Sequence, residues 1–146
     1  MRRRALALLA AAVLLALAGS DPLEAQSFFA GKTVRIVVGL APGGGFDTYA
    51  RLLARHLSRH IPGNPAIIVE NMTGGGGLIA ANHLYRVAKP DGLTLAHVPG
   101  TLLLGQVLGQ PGIEFDARKF EYIGATVKEK EEVVCSMIRA SGILHR

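Results

Sequence analysis

The chain of 146 residues has very little of several residue types that small proteins use for stability or chemistry. It contains one cysteine and no tryptophan. A single cysteine cannot close an intramolecular disulfide or supply a cysteine-based zinc finger, so both are excluded. Cys135 is predicted to be a small hydrophobic residue of the core rather than a nucleophile. Because 49% of the residues are hydrophobic and only 18% are charged, the composition also argues against a disordered chain.

Charge of either sign is scarce as well. The formal net charge is +5, and the basic residues are dispersed along the chain rather than clustered. This excess is compatible with an anionic ligand but is too small to predict a nucleic-acid partner. Glycine, in contrast, is abundant, with 18 residues.

The first 25 residues have the layout of a secretory signal peptide. Three arginines follow Met1, and an uninterrupted apolar run extends from Ala5 to Ala18. This run is too short to span a bilayer as a helix. We predict cleavage after Ala25, with Ala18 as the alternative, and no lipid anchor, because Ser20 stands where a lipoprotein would need a cysteine.

After this segment, apolar β-branched runs alternate with helical patterns and glycine-rich turns. Strands are predicted at Thr33–Val38, Ala66–Val69 and Leu93–Val98, and helical segments follow each of them. The first of these helices is amphipathic, with Tyr49, Leu52, Leu53, His56 and Leu57 on its predicted apolar side and Arg51, Arg55 and Arg59 on its solvated side. The alternation predicts an α/β fold with a parallel sheet flanked by helices. Further strands are predicted at Tyr122–Thr126 and Val133–Arg139, on either side of a charged loop.

Two of the turns carry most of the glycine. Gly43–Gly45 and Gly74–Gly77 each follow a predicted strand and precede a predicted helix. Such a turn leaves the first N–H groups of the helix open, at the end where the helix carries partial positive charge. Two such turns at one edge of a sheet are typical of an anion-binding site. The alternative is that the glycines serve only as tight turns that permit close helix packing.

Nucleotide chemistry is the first alternative for these turns. Neither fits the phosphate-binding loop of NTPases, since no Lys-Ser or Lys-Thr pair follows the glycines. The stretch Gly75–Ala80 does fit the dinucleotide pattern G-x-G-x-x-A, but the acidic residue expected at the end of the next strand is missing.

Catalytic and metal-binding patterns are poor, so no catalytic residue, metal or cofactor is predicted. His56 and His60 have the spacing of a helical metal pair, but no third ligand is evident, and they are interpreted as surface histidines. Asp47 stands in the first turn of the first helix. It either caps that helix or orders a water molecule or a ligand donor at the site.

The ordered motifs of the chain resemble those of a known family. They comprise the first strand with Ala41–Asp47, the second strand with Asn71 and Gly74–Gly77, and Pro90–Leu95, followed by Phe115, Asp116 and Tyr122–Gly124. Together they resemble the Bug/tripartite tricarboxylate transporter receptor family of extracytoplasmic solute-binding proteins. The resemblance implies a type II periplasmic binding protein, a non-catalytic receptor with two α/β lobes that close on a small organic acid. It also implies membrane transporter subunits as partners and a periplasmic location.

By position, the resemblance assigns ligand binding to three strand-to-helix loops. The residues implied are Gly44, Gly45, Phe46 and Asp47 in the first loop, Thr73, Gly75, Gly76 and Gly77 in the second, and Thr101 in the third.

The chain differs from this family in length, because the two domains that the family has need a chain about twice as long. We therefore expect a first lobe over residues 26–126 and a truncated start of the hinge and second lobe over residues 127–146. Such a chain would keep half of the ligand site and bind acids more weakly than micromolar. A small NAD-dependent α/β enzyme and a non-functional remnant are the competing interpretations.

Overall fold

The computed structural model describes residues 28–128 and 133–139, with side chains as far as residue 126. The predicted signal segment, the loop at 129–132 and the last seven residues lie outside this part of the chain. The helices and strands, in chain order, are β1 (Thr33–Val38), α1 (Gly45–Leu57), β2 (Ala66–Asn71), α2 (Leu78–Arg86), β3 (Thr94–Pro99), α3 (Thr101–Val107), β4 (Phe120–Lys128) and β5 (Val133–Arg139).

The five strands form one sheet in the order β2-β1-β3-β5-β4. β1 pairs in parallel with β2 and with β3, as predicted from their continuous apolar runs. The predicted parallel sheet flanked by helices is thus confirmed for β1 to β3. β5 is antiparallel to both β3 and β4, so the complete sheet of the described strands is mixed. Residues 129–132 are too few for the crossover that a parallel β4–β5 pair would need, whereas an antiparallel pair allows a short connection.

The domain boundary placed after residue 126 stays a prediction. The one described strand on its far side, β5, is a member of the same sheet as β1 to β3.

The core has two parts because strand side chains alternate between the faces of the sheet. Val37 joins a cluster with residues of α2 and α3, and Phe115 and Phe120 pack into the same cluster. Ile36 and Val38 face the other way and pack with Ala50 of α1. The sheet is thus covered by helices on both faces, as expected of an α/β layer structure.

The side of α1 that faces the sheet is only partly the predicted one, since Leu53 and Leu57 do border a cavity against β1 and β3. The sequence predicts a buried stripe of Tyr49, Leu52, Leu53 and related positions, but these three side chains are exposed by 37% to 45%. The buried positions are Asp47 and Ala50. A small side chain allows α1 to approach the sheet closely, so residue size and not hydrophobicity alone selects the packed face.

Candidate functional site

The ends of the three parallel strands lie side by side. Val38, the last residue of β1, is in register with Asn71 of β2 and with His97 of β3. The loops that leave these strands approach each other closely, since a Cβ atom added at Gly39 would lie 2.7 Å from the Cα atom of Gly77. The first two glycine loops therefore meet at one edge of the sheet, as predicted.

The first loop delivers the chain to the N-terminus of α1. Gly43 has φ of 79°, a left-handed conformation that favours glycine. Gly44 is the N-cap and supplies no side-chain hydrogen bond, so the first turn of α1 lacks the side-chain acceptor that most helices have. Gly44 and Gly45 are exposed. The N–H of Gly44 donates to the carbonyl of Ala41 at 3.4 Å, whereas the N–H of Gly45 has no such partner among the described residues and can receive an anion.

Asp47 ties this loop to the end of β2. One carboxylate oxygen accepts a hydrogen bond from the backbone N–H of Gly43 at 2.8 Å and another from Arg51 Nε at 2.9 Å. The other oxygen accepts from Asn71 Nδ2 at 2.9 Å. Asn71 Nδ2 also donates to the carbonyl of Leu40, and Asn71 Oδ1 accepts from Arg51 Nη2. Asp47 thus ties the first loop to β2 rather than capping α1, since Gly43 lies outside that helix. A contact between Asp47 and a ligand stays a prediction.

The network also sets the charge at the edge. The hydrogen bonds from Arg51 and Gly43 hold the pKa of the Asp47 carboxyl below its usual range. In turn, the hydrogen bond to Asp47 and its negative charge raise the pKa of Arg51. Both groups are therefore ionised at neutral pH. Because Arg51 balances the carboxylate, an anion approaching the N-terminus of α1 meets no uncompensated negative charge from Asp47.

The second loop is a run of glycines in unusual backbone conformations. Gly74, Gly75, Gly76 and Gly77 all have positive φ, between 57° and 136°. Gly75–Gly77 form a short 3-10 turn, and Gly77 is the N-cap of α2, again without a side-chain hydrogen bond. Gly75 and Gly76 are exposed with Thr73, while Gly77 is buried against Pro99 and Leu102.

The third loop is shorter. β3 ends at Pro99, and Gly100 caps α3, whose first residue Thr101 is exposed at the same edge. Phe46 is half-buried, with its ring against His97. Of the nine predicted site residues, exposure at the edge is thus found for Gly44, Gly45, Thr73, Gly75, Gly76 and Thr101.

Arg51 and Asn71 were not predicted to take part in the site. By pattern, Arg51 belongs to the solvated arginine row of α1, and Asn71 is only a part of the family motif. The spacing of four residues between Asp47 and Arg51 is a signal for a helical ion pair that could have identified the first of them. The contact of Asn71 joins residues 24 positions apart and has no comparable local signal.

Other chemistries find little support among the described residues. No group of three potential metal ligands occurs there, and His56 and His60 are both exposed. The strand after the glycine pattern ends in Pro99 and Gly100, without the acid that a dinucleotide site needs. In the described part of the chain, no helix has the length and apolar character required to cross a membrane.

Comparison of the sequence with those of known proteins finds UPF0065 and Bug proteins. No protein-family profile matches the chain. A UPF0065 protein of Bordetella bronchiseptica is 36% identical over 112 residues, covering 77% of this chain and 32% of that protein. Protein BugT of Bordetella pertussis is 36% identical over 84 residues, covering 57% of this chain and 24% of the relative. The chain thus spans a third or less of the length of these relatives.

Solved structures agree with the sequence comparison. MatC of Rhodopseudomonas palustris, solved with bound malate, is similar with a TM-score of 0.57 and 34% identity, over 65% of this chain and 32% of that one. The periplasmic binding protein BugD is similar with a TM-score of 0.56 and 31% identity, over 64% of this chain and 30% of that one. These proteins are binding proteins, and they do not favour the alternative of an NAD-dependent enzyme. In sequence and in fold, the chain is a homologue of the Bug/tripartite tricarboxylate transporter receptor family of periplasmic solute-binding proteins.

Proposed function

We propose that this chain provides one wall of a binding cleft for a small organic carboxylate, as part of a receptor that serves a tripartite tricarboxylate-type transporter. The supporting observation is that α1 and α2 both begin at glycine loops on the same sheet edge, without side-chain caps. The first N–H groups of α2 donate to the carbonyls of Gly74 and Gly75, so the donors left for a ligand are those of Gly45 and of the second loop itself. Open N–H groups and the partial positive charge of a helix end both favour a carboxylate. The malate bound by the homologue MatC is consistent with this ligand class.

Within this wall, backbone donors do most of the binding. In our proposal, the N–H groups of Gly45, Gly75 and Gly76 contact the carboxylate directly, and Gly44, without a side chain, leaves room for the ligand at the start of α1. Thr73 and Thr101 add hydroxyl donors at the rim. Gly77 allows the second loop to pack closely, and Phe46 and Asp47 hold the first loop in place.

The chain alone is expected to bind acids in the millimolar range, because it spans about a third of the length of its relatives and a ligand contacts only one wall. The test is a thermal-shift and NMR titration of the purified chain with malate, succinate and citrate, and with NAD and NADP. Stabilisation by the acids supports the proposal. Stabilisation by the dinucleotides alone, or micromolar affinity for an acid, would contradict it.

A matched pair of variants tests where the acid binds. Gly45 has open space around its Cα atom, so larger side chains are tolerated there. Gly45→Glu places a negative charge at the N-terminus of α1, whereas Gly45→Gln has nearly the same shape without the charge. We expect at least a fivefold weaker malate affinity for Gly45→Glu than for Gly45→Gln. Equal affinities would place the acid elsewhere.

Export is part of the same proposal. Periplasmic homologues point to a periplasmic location, and the first 25 residues fit a cleaved signal peptide. The N-terminal residue of the exported protein, determined by sequencing, is expected to be Gln26. An uncleaved Met1 in the membrane fraction would contradict this expectation.

A further inference from the structure

His97 is buried in the middle of the sheet, in surroundings that suit only its neutral form. It is 1% exposed and lies in β3. Its Nε2 atom is 3.3 Å from the hydroxyl oxygen of Thr126 in β4, and its Nδ1 atom has no hydrogen-bond partner among the described residues. A second N–H on this ring would therefore be buried without an acceptor.

The space beside the ring is apolar. A cavity of about 400 Å³ borders His97, and its other side chains come mainly from α1, β1, β3 and β4. Of the described residues that line it, His97 alone is titratable, and Leu53, Leu57 and Ile123 are among the others. On α1, the buried carboxylate of Asp47 is engaged with Arg51, and β5 places uncharged Ser136 opposite His97 in the register. Among the residues whose side chains are described, none forms an ion pair with His97, and burial lowers the pKa of its ring.

His97 also contacts the first glycine loop at both of its ends. Its carbonyl oxygen accepts a hydrogen bond of 3.0 Å from the N–H of Gly39, where the loop begins. Its ring packs against the ring of Phe46, where the loop enters α1, with 5.3 Å between the ring centroids. One residue therefore supports the segment whose far end presents the open N–H groups of α1.

We propose that His97 is a positioning residue that, in its neutral form, holds Phe46 and the first glycine loop in the anion-binding arrangement, and that protonation of its ring displaces this loop. The proposal rests on the function proposed above. The positively charged ring would be buried beside apolar side chains, so the ring must move toward water when it takes up a proton. Because Phe46 packs against the ring, that movement changes the start of α1.

The test follows the loop without any ligand. The backbone amide signals of Gly45 and Phe46 in the isotope-labelled chain are recorded from about pH 8 to about pH 5, together with the ring signals of His97. We expect the loop amides to shift with the same midpoint as the His97 ring, below the usual histidine value. In His97→Gln this shift should disappear. In His56→Gln, a control on the exposed side of α1, it should remain.

A shift that persists in His97→Gln, or a loop midpoint that differs from that of the ring, overturns the proposal. If His97→Gln does not fold, Thr126→Val provides the second test, because it removes only the hydroxyl beside the ring. If this variant changes the pH midpoint of the His97 ring signals, the pH midpoint of the Gly45 and Phe46 amide signals must change by the same amount. Malate titration is read separately: failure to bind malate at any pH contradicts the proposed function, whereas the loop titration alone decides the role of His97.

Discussion

Asp47 shows how one side chain can fix the position of a loop at the edge of a sheet. Its carboxylate receives hydrogen bonds from Gly43, Arg51 and Asn71, which belong to the first loop, to α1 and to the end of β2. The side chain is almost completely buried, so these donors replace the water that would otherwise solvate the charge. The position of the first loop relative to β2 therefore depends on this residue.

Asp47→Asn is expected to lower the thermal melting temperature by several degrees at neutral pH, because a buried charged acceptor with three donors is lost. Glu114→Gln is the control, since it breaks an exposed ion pair with Arg86 of 3.5 Å and should change stability little. Differential scanning calorimetry measures both. A control effect as large as that of Asp47→Asn would contradict the role assigned to the network.

The pH dependence of the Asp47 effect has a definite sign. The pKa of Asp47 in the folded chain lies below its ordinary value of 3.8, mainly because of the Arg51 hydrogen bond. The ionised carboxylate thus stabilises the fold above about pH 3.8, and this contribution is lost as the pH falls toward the folded value. The stability difference between wild type and Asp47→Asn should therefore shrink in acid, as measured by urea denaturation at several pH values.

At the scale of elements, the strand-to-helix loops depend on particular glycines. Gly77 combines a φ of 97° with a position where an added Cβ atom would lie 3.1 Å from Pro99 and 3.3 Å from Leu102. Gly45 has no such neighbour within 4 Å and lies in the first turn of a helix. The two positions therefore offer a direct comparison between a glycine that the packing requires and one that it does not.

We expect Gly77→Ala to cost about 1–3 kcal/mol of unfolding free energy, because the side chain both strains the backbone and crowds β3 and α3. Gly45→Ala should be neutral or stabilise the fold by up to about 1 kcal/mol, since alanine restricts the unfolded chain and fits a helix. Equilibrium urea denaturation measures both values. Equal losses would show that the close approach at Gly77 is unimportant.

Local pattern was enough to place most elements. The β-branched runs predicted β1 within its observed bounds, and the run Val133–Arg139 predicted β5. The packed face of α1 could not be found in this way. Hydrophobicity selected Tyr49 and Leu52, whereas close contact with the sheet selects Ala50, and the sequence alone does not show how near the sheet will be.

At the scale of the whole molecule, the fold depends on the cluster that joins α2 to the sheet. Leu84 of α2 is 1% exposed and belongs to the cluster that also contains Val37 and Phe115. Since this cluster connects β1 with the segment before β4, its loss should affect the entire sheet rather than α2 alone.

Leu84→Ala is expected to cost about 2–5 kcal/mol, through lost transfer free energy and the cavity that remains. Val107→Ala is the matched control, because Val107 is 82% exposed and its truncation should change stability by less than about 0.5 kcal/mol. Unfolding is followed by circular dichroism. If Leu84→Ala unfolds no more easily than Val107→Ala, the cluster does not hold the sheet together.

Sheet order was the largest feature that sequence could not supply. Each strand of the mixed sheet has a local signature, but the insertion of β5 between β3 and β4 follows from pairing between distant segments. The arrangement of the site edge, by contrast, followed from the rule that parallel strands end at a common edge. The candidate glycines were therefore predictable, whereas the contacts of Asp47 and His97 that support them were not.

The interior place of β5 has a consequence for how the chain folds during synthesis. β5 is the last described strand to leave the ribosome, yet β3 and β4 do not pair with each other and both require it. Until residue 139 has emerged, β4 has no neighbouring strand among the described elements, and one edge of β3 remains open. The three parallel strands and their helices can collapse earlier, so completion of the sheet is a late and non-local step that exposes unpaired strand edges to aggregation.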